Sequence, residues 1–325
     1  MKLLTRFIIL FLLGCSFFVY GNDFVEEFQG LGSVNWTKGE VLVTGMGILK
    51  GENWSIEEKI NAHRAAKLDA ARKLIQVINN IHVDSNTKVE DIMKSDTLIK
   101  RKVSGYVKNF TEKEVKFTKD GICKLDVSLP INGDGSISEI FLGGEEVPTV
   151  SDIIDTTEPA AVKTQQIATA TPNKEDKIVI IDDQQPEATL IADKSYNQEK
   201  YADYQESKLV SGLVVNAANI ETRPALNPKI KDTTGETVYS FKKADRDFRK
   251  LNGMASYATT LDDAYLDKRV IRTPFIIDAV SVEEGNPCVI IVDKKDADKF
   301  ITQQGSDRAI KHCRVIIVTE SPEEG

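Results

Sequence analysis

The chain has 325 residues, a formal charge of −8, and 41% hydrophobic against 28% charged residues. That length suits two domains of ordinary size. The acidic balance and the lack of any run of Lys and Arg argue against binding nucleic acid or anionic lipid through bulk charge, because neutralising phosphates needs clustered cations.

The N-terminus, MKLLTRFIILFLLGCSFFVYGND, places Lys2 and Arg6 before an apolar stretch from Phe7 to Tyr20, with Gly21 and then Asp23 following. This is the anatomy of a bacterial secretory signal peptide over residues 1–21. A membrane-spanning helix would need about 20 apolar residues. Removing residues 1–21 takes away two cations and no acid, which leaves a charge of −10. Val19-Tyr20-Gly21 fits ordinary leader peptidase. Leu12-Leu13-Gly14-Cys15 resembles a lipobox, in which Cys15 would be lipidated. Cleavage after Gly21 is favoured, because a lipidated Cys15 would be followed by the apolar Ser16–Tyr20 instead of a polar tether.

Residues 22–38 read as a polar lead-in and 39–50 as a strand rich in Val, Leu and Ile. The stretch VLVTGMGILKG within it carries Gly45, Gly47 and Gly51. Ser55 followed by Glu58 forms a capping box, with Trp54 placed as a hydrophobic staple. Ile60, Ala71, Leu74, Ile75 and Ile78 recur near helical period, so a helix is predicted over about 55–80. Residues 87–95 suit one or two helical turns. GYVKNFTEKEVKFTKDGICKLDVSLPI reads as a hairpin turning at Asp120-Gly121, with Cys123 pointing inward beside Leu125, Val127 and Leu129. Residues 143–205 shift to Thr, Gln, Pro, Asp and Glu with few aromatics. They read as a low-complexity acidic linker in which Ile178–Ile181 is a lone apolar patch.

A second unit is predicted from about 206 to 320. LVSGLVVNAAN, PFIIDAVSV, CVIIVD and CRVIIVT read as strands, and two short strands flank Asp232–Gly235. Helical segments fall at 244–250, 261–265 and along DKKDADKFITQQ. The strand–helix–strand order over 288–318 favours two parallel strands joined by a right-handed crossover. Cys288 and Cys313 both open strands, so they are the candidate disulfide if those strands are neighbours.

Gly45 and Gly47 raise the question of a dinucleotide. Such a site needs a helix that starts at the glycine turn and an acid about 20 residues on, at the end of a second strand. Here the capping box starts the helix at Ser55, and Asp69, near the right spacing, falls mid-helix. The glycines are therefore expected inside a strand, at a close approach of other backbone. No GxSxG, HExxH or GxxxxGK[ST] occurs. His63, His82 and His312 are too scattered for zinc, and Asp182, Asp183 and Asp232 lack the close spacing of a calcium loop. The expectation is a protein with no cofactor, no metal and no catalytic residues.

GEVLVTGMGIL at 39–49, NAHRAAKLDAARKLIQVINNIHVDSNT at 61–87, and VSGYVKNF at 103–110 with the hairpin after it together resemble the Lpp-twenty-type lipoproteins of the bacterial envelope. They are also similar to the N-terminal domain of flagellar assembly protein T. The resemblance covers about residues 35–130, and the second unit looks like the C-terminal part of longer secreted members. It implies an α+β, non-enzymatic module, lipid-anchored or secreted, of the kind found at the outer membrane or the flagellar base.

The expected architecture is α+β: a signal peptide over 1–21, an Lpp-twenty-like domain over 35–142, a flexible linker over 143–205 and a C-terminal domain over 206–320. The expected role is an exported structural or protein-interaction module of the cell envelope. Its partner would be an envelope protein or a second copy, and it would associate with membrane only if Cys15 is lipidated. The alternative is a periplasmic protein that binds a small ligand or glycan.

Overall fold

The structure is a computed structural model that describes residues 23–50, 54–148, 209–270 and 272–320. The signal segment with Cys15, most of the linker and the apolar patch at 178–181 lie outside the described residues. Two mixed α/β units are present, each built on its own sheet.

The first sheet contains β1 (Val25–Phe28), β2 (Gly32–Asn35), β3 (Glu40–Ile48), β4 (Thr111–Phe117) and β5 (Ile122–Pro130). It is antiparallel throughout, in the order β1-β2-β3-β5-β4. Helix α1 (Ile56–Asn80) lies across one face. Its start is set by the expected capping box. Ser55 Oγ accepts from the Glu58 N–H at 3.2 Å, and Glu58 Oε2 accepts from the Ser55 N–H at 2.8 Å. Gly45 and Gly47 lie within β3, as expected, and α1 is what approaches them. A Cβ on Gly45 would stand 2.1 Å from the Ala66 carbonyl oxygen, and one on Gly47 1.9 Å from that of Ala62. The buried stripe of α1 therefore opens with Ala62, Ala66 and Ala70, and Ile60 is exposed. The hairpin closes at Gly121, where φ is +74°, and Cys123 is buried on the helix side.

Three short helices complete this unit: α2 (Val89–Ser95), α3 (Thr97–Tyr106) and α4 (Ile137–Leu142). Helix α3 occupies a stretch whose end read as the approach to the hairpin. Asp96 starts it by accepting from the N–H groups of Leu98 and Ile99. Strands β1 and β2 lie mostly upstream of residue 35, in what read as a lead-in.

The second sheet runs β8-β7-β11-β10-β6-β12-β9. Its strands are β6 (Gly212–Asn216), β7 (Lys229–Asp232), β8 (Thr237–Tyr239), β9 (Ser256–Ala258), β10 (Pro274–Glu283), β11 (Asn286–Val292) and β12 (Val315–Val318). Helices α5 (Arg246–Asn252), α6 (Leu261–Leu266), α7 (Lys294–Thr302) and α8 (Ser306–Lys311) connect them. Central strands β6 and β12 are parallel and buried on both faces, which is why VIIV and LVV read as unbroken apolar runs. Val214, Ile316 and Val318 face a small cluster with Leu261 and Ala264 of α6. Leu213, Val215, Val315 and Ile317 face the main core.

Two expectations about this unit are corrected. Strands β11 and β12 are neither neighbours nor parallel. They are separated by β10 and β6, and β11 runs antiparallel to β10 while β12 follows β6. Three strand spacings put them about 14 Å apart, well beyond the Cα separation of about 4.4–6.8 Å that a disulfide spans. Cys288 and Cys313 are accordingly free and buried, as is Cys123. Both edges of β11 are taken, by β10 across the two-residue turn at Glu284-Gly285 and by β7 on the other side, so β12 has no place beside it.

The two units share one hydrophobic core. Leu226 and Asn227 donate backbone N–H groups to the carbonyls of His82 and Val83, each at 2.9 Å. Cys288 N–H donates to Ser85 Oγ at 3.1 Å. Asp23 bridges Ala258 at the edge where the sheets meet. Thr37 Oγ1 accepts from Phe24 N–H and donates to the Tyr257 carbonyl at 2.6 Å. Among the described residues, no helix is long and apolar enough to cross a membrane.

Candidate functional site

A cleft of about 430 Å³ opens where the two units meet. One wall is the β2–β3 turn, Trp36 to Gly39, with Asn132 from just after β5. The other comes from the second unit: the end of α5, Ser256 on β9, the segment Asp267–Arg269 after α6, and His312 and Arg314 leading into β12. The position of the first wall follows from local chemistry. Lys38 N–H donates to Asn35 Oδ1 at 2.9 Å, which tightens the turn, and Thr37 is tied to Tyr257 as above. Trp36 is held edge-on to Tyr257, with centroids 5.5 Å apart, and donates its ring N–H to Glu26 at 2.8 Å.

The second wall is rich in cations. Arg269 is anchored by donating Nη1 to the Cys313 carbonyl at 2.8 Å and Nη2 to the Asn252 carbonyl. Asp267 Oδ1 accepts from the Arg269 backbone N–H at 2.7 Å, so this acid shapes the loop. Among the described residues Arg314 makes a single long contact, Nη1 to the Ser211 carbonyl at 3.5 Å. No ion pair among the described residues engages Lys268, Arg269 or Arg314. Lys38, by contrast, is paired with Asp23. His312 stacks on Phe248, with ring centroids 3.8 Å apart and planes 16° apart. Burial, and after it the charges of Arg314 and Arg308, hold its pKa below the usual histidine value. Ser256 is 5% exposed, and its hydroxyl has no hydrogen-bond partner among the described residues.

The arrangement can attract an anion and offer it N–H donors, with the Ser256 hydroxyl sealed just behind the wall. None of these residues stands out in the sequence, because positions 38, 256, 268 and 314 come together only when the second sheet docks on the first. Their one local signal is the pair Lys268-Arg269 with no acid to follow it.

Apart from His312, which the sequence offers only as one of three scattered histidines, the features singled out from sequence go elsewhere. Gly45 and Gly47 let α1 close onto β3, and Ser55 and Glu58 cap the start of α1. Cys288 sits in β11, and Cys313, at φ +55°, ends the turn before β12. Burial raises both thiols, Cys288 to about 11. Asp232 serves its own turn, accepting from the backbone and side chain of Thr234 and the backbone of Glu236. Among the described residues no cluster of His, Cys, Asp or Glu is placed to hold a metal ion.

Compared with known protein families, residues 212–321 match the one described as Treponema pallidum Tp0624, second domain. The matched segment begins with β6 and runs past the end of β12, so it takes in the whole second sheet and the cationic wall of the cleft. No curated protein matches the chain.

Proposed function

We propose that the protein is an exported, non-enzymatic interaction module of a bacterial cell envelope, which holds an extended segment of a partner protein against the open side of its first sheet. Ile48 carries the reading: it is 80% exposed, with Met46 at 47% beside it. Both side chains point away from α1, since they alternate with Gly45 and Gly47 along β3. Their register partners on β5 are Ile122 and Lys124. Every residue of the edge strand β4 is exposed, so its outer backbone groups are open to strand addition. An apolar spot rimmed by charge beside a free edge is the chemistry of a protein-docking surface. The leader pattern of residues 1–21 supports export, and the resemblance of residues 35–130 to envelope modules supports the location.

Because the two units share a core, deleting residues 35–130 would unfold the protein and test nothing. The informative variant is Met46→Lys/Ile48→Lys, which leaves the core untouched. We expect the wild type to sediment with the envelope fraction and to crosslink to an envelope protein, and the double variant to move to the soluble fraction with its melting temperature unchanged. Identical fractionation of the two proteins would overturn the reading. Intact mass of the exported protein reports separately whether Cys15 is lipidated or lost with the leader.

A second reading, a periplasmic protein that binds a small ligand or glycan, is favoured by the cleft between the units.

A further inference from the structure

We infer that the cleft between the two units is a binding site for a small molecule bearing phosphate or carboxylate groups, held by Arg314, Lys268 and the Ser256 hydroxyl. The site is separate from the face of β3 and β5 discussed above, and the inference holds whether or not that face carries a partner.

Four observations converge. The chain is acidic overall, at −8, yet Lys38, Lys268, Arg269 and Arg314 line one cleft against a single acid among the described residues, Asp267. Cations gathered against the net charge of a protein focus an attractive field on an anion. Second, donors remain available. A guanidinium has five N–H groups, and Arg314 spends one on a 3.5 Å contact. Planar N–H forks match phosphate and carboxylate oxygens two at a time. Third, Ser256 Oγ is buried with no hydrogen-bond partner, although its residue lines the cleft. Buried hydroxyls are nearly always bonded, so one left unbonded just behind a cleft wall marks a place where a turn of the side chain toward a ligand atom completes the set. Fourth, the volume of about 430 Å³ falls within the range of small-molecule sites. The walls belong to two units fixed by one core, so the site exists before ligand arrives and loses little entropy on binding.

Trp36 lines the cleft and is one of two tryptophans in the chain. In a Trp54→Phe background it becomes the only tryptophan reporter. The experiment titrates this protein with inorganic pyrophosphate, citrate and neutral trehalose, following Trp36 fluorescence and, in parallel, heat by calorimetry. We expect saturable binding of pyrophosphate or citrate, the better of the two naming the anion class, and none of trehalose. Arg314→Gln should weaken binding by at least about tenfold, and Ser256→Ala by about threefold. Lys295→Gln, which removes the same charge from an exposed site on α7, should leave affinity unchanged. Lys268→Gln is the second variant should Arg314→Gln fail to fold, since Lys268 is exposed and in no ion pair among the described residues. The inference is overturned if neither anion binds at about 10 mM. It is also overturned if trehalose binds equally well, or if removing Lys295 weakens binding as much as removing a cleft cation.

Discussion

A methyl group on Gly47 would sit 1.9 Å from the carbonyl oxygen of Ala62, and one on Gly45 2.8 Å from the Cβ of Ala70. Both obstacles are parts of a helix that cannot move without lifting off the sheet. Gly47→Ala should therefore destabilise the protein by about 3 kcal/mol or more. Gly105→Ala, inside α3 with nothing within 4 Å of its Cβ, should stabilise it by about 0.5–1 kcal/mol. Denaturant midpoints of the two variants check both signs. Much of this contact was legible, since glycines flanked by β-branched residues in a strand call for close approach, but the approaching partner was not. The alanines at 62, 66 and 70 read as filler between larger residues, because periodicity arguments weigh hydrophobic bulk and the stripe is defined by its smallness. Asp232 makes the next prediction. It is 2% exposed, and the bonds from Thr234 chief among its contacts lower its pKa from 3.8 to about 2, against an opposing effect of burial. A depressed carboxylate gives stability that is present above its unfolded pKa and lost as pH falls toward the folded one. Asp232→Asn should melt below wild type at pH 7, and the gap should close between about pH 4 and pH 2. The three buried thiols, Cys123, Cys288 and Cys313, are all raised by burial. Ellman's reagent at pH 8 should find none of them in the native protein and all of them in denaturant.

Strand β3 outruns its neighbour. It pairs with β5 along its full length, but β2 covers only Glu40–Leu42, so the far half of one edge has no strand beside it. Helix α1 closes this edge. Asp69 Oδ2 accepts from the Met46 N–H at 2.8 Å, Lys73 Nζ donates to the Thr44 carbonyl at 2.8 Å, and the two side chains pair at 3.1 Å. A helix-surface ion pair one turn apart thus takes the place of two ladder bonds, which is one way of protecting an exposed edge. Asp69 is the very acid whose spacing from the glycines suggested a ribose contact; it reads the backbone of that strand instead. Asp69→Ala/Lys73→Ala should cost about 1–2 kcal/mol and speed hydrogen exchange at the Met46 amide selectively, which two-dimensional NMR detects. Among the elements, those with a strong period or an explicit start, α1 and the β4–β5 hairpin, were legible. Helix α3 was not, because TLIKRKVSGY carries only Ile99 and Val103 as its buried face and runs straight into the next strand. The order of the second sheet was also hidden: strand–helix–strand order makes two strands neighbours only where the first still has a free edge, and β10 and β7 take both edges of β11.

The whole molecule is held together by contacts that no single unit could satisfy. Helix α4 ends with the carbonyls of Leu142, Gly143 and Gly144 pointing out of the first unit, where a lone helix would leave them to water. Arg249, 6% exposed, donates Nε to the Leu142 carbonyl and Nη2 to the Gly144 carbonyl, both at 3.1 Å, while Nη1 reaches Phe241 and Ala244 of its own unit. Arg246 takes the Gly143 carbonyl. Two cations at a helix C-terminus suit its dipole, and Arg249 also lies 3.6 Å over the Phe241 ring. The cleft is a product of the same docking, which is why its cations were invisible along the sequence: Trp36 and Arg314 line one cleft because the two units pack together. Residues 23–148 and 209–320 should accordingly fail to fold when expressed separately, and should copurify in a one-to-one complex when coexpressed as two polypeptides. Each piece alone exposes its share of a common apolar core and strands the backbone groups that the other satisfies. Arg249→Ala removes the clamp and leaves buried carbonyls unpaired. It should lower the stability of the intact chain by about 2–4 kcal/mol, and in the coexpressed pair it should abolish copurification. Two pieces that each give a cooperative melt in isolation would show that the units are autonomous and that the cleft is a seam between independent domains, and a pair that survives Arg249→Ala unchanged would show that the shared core, not this clamp, joins them.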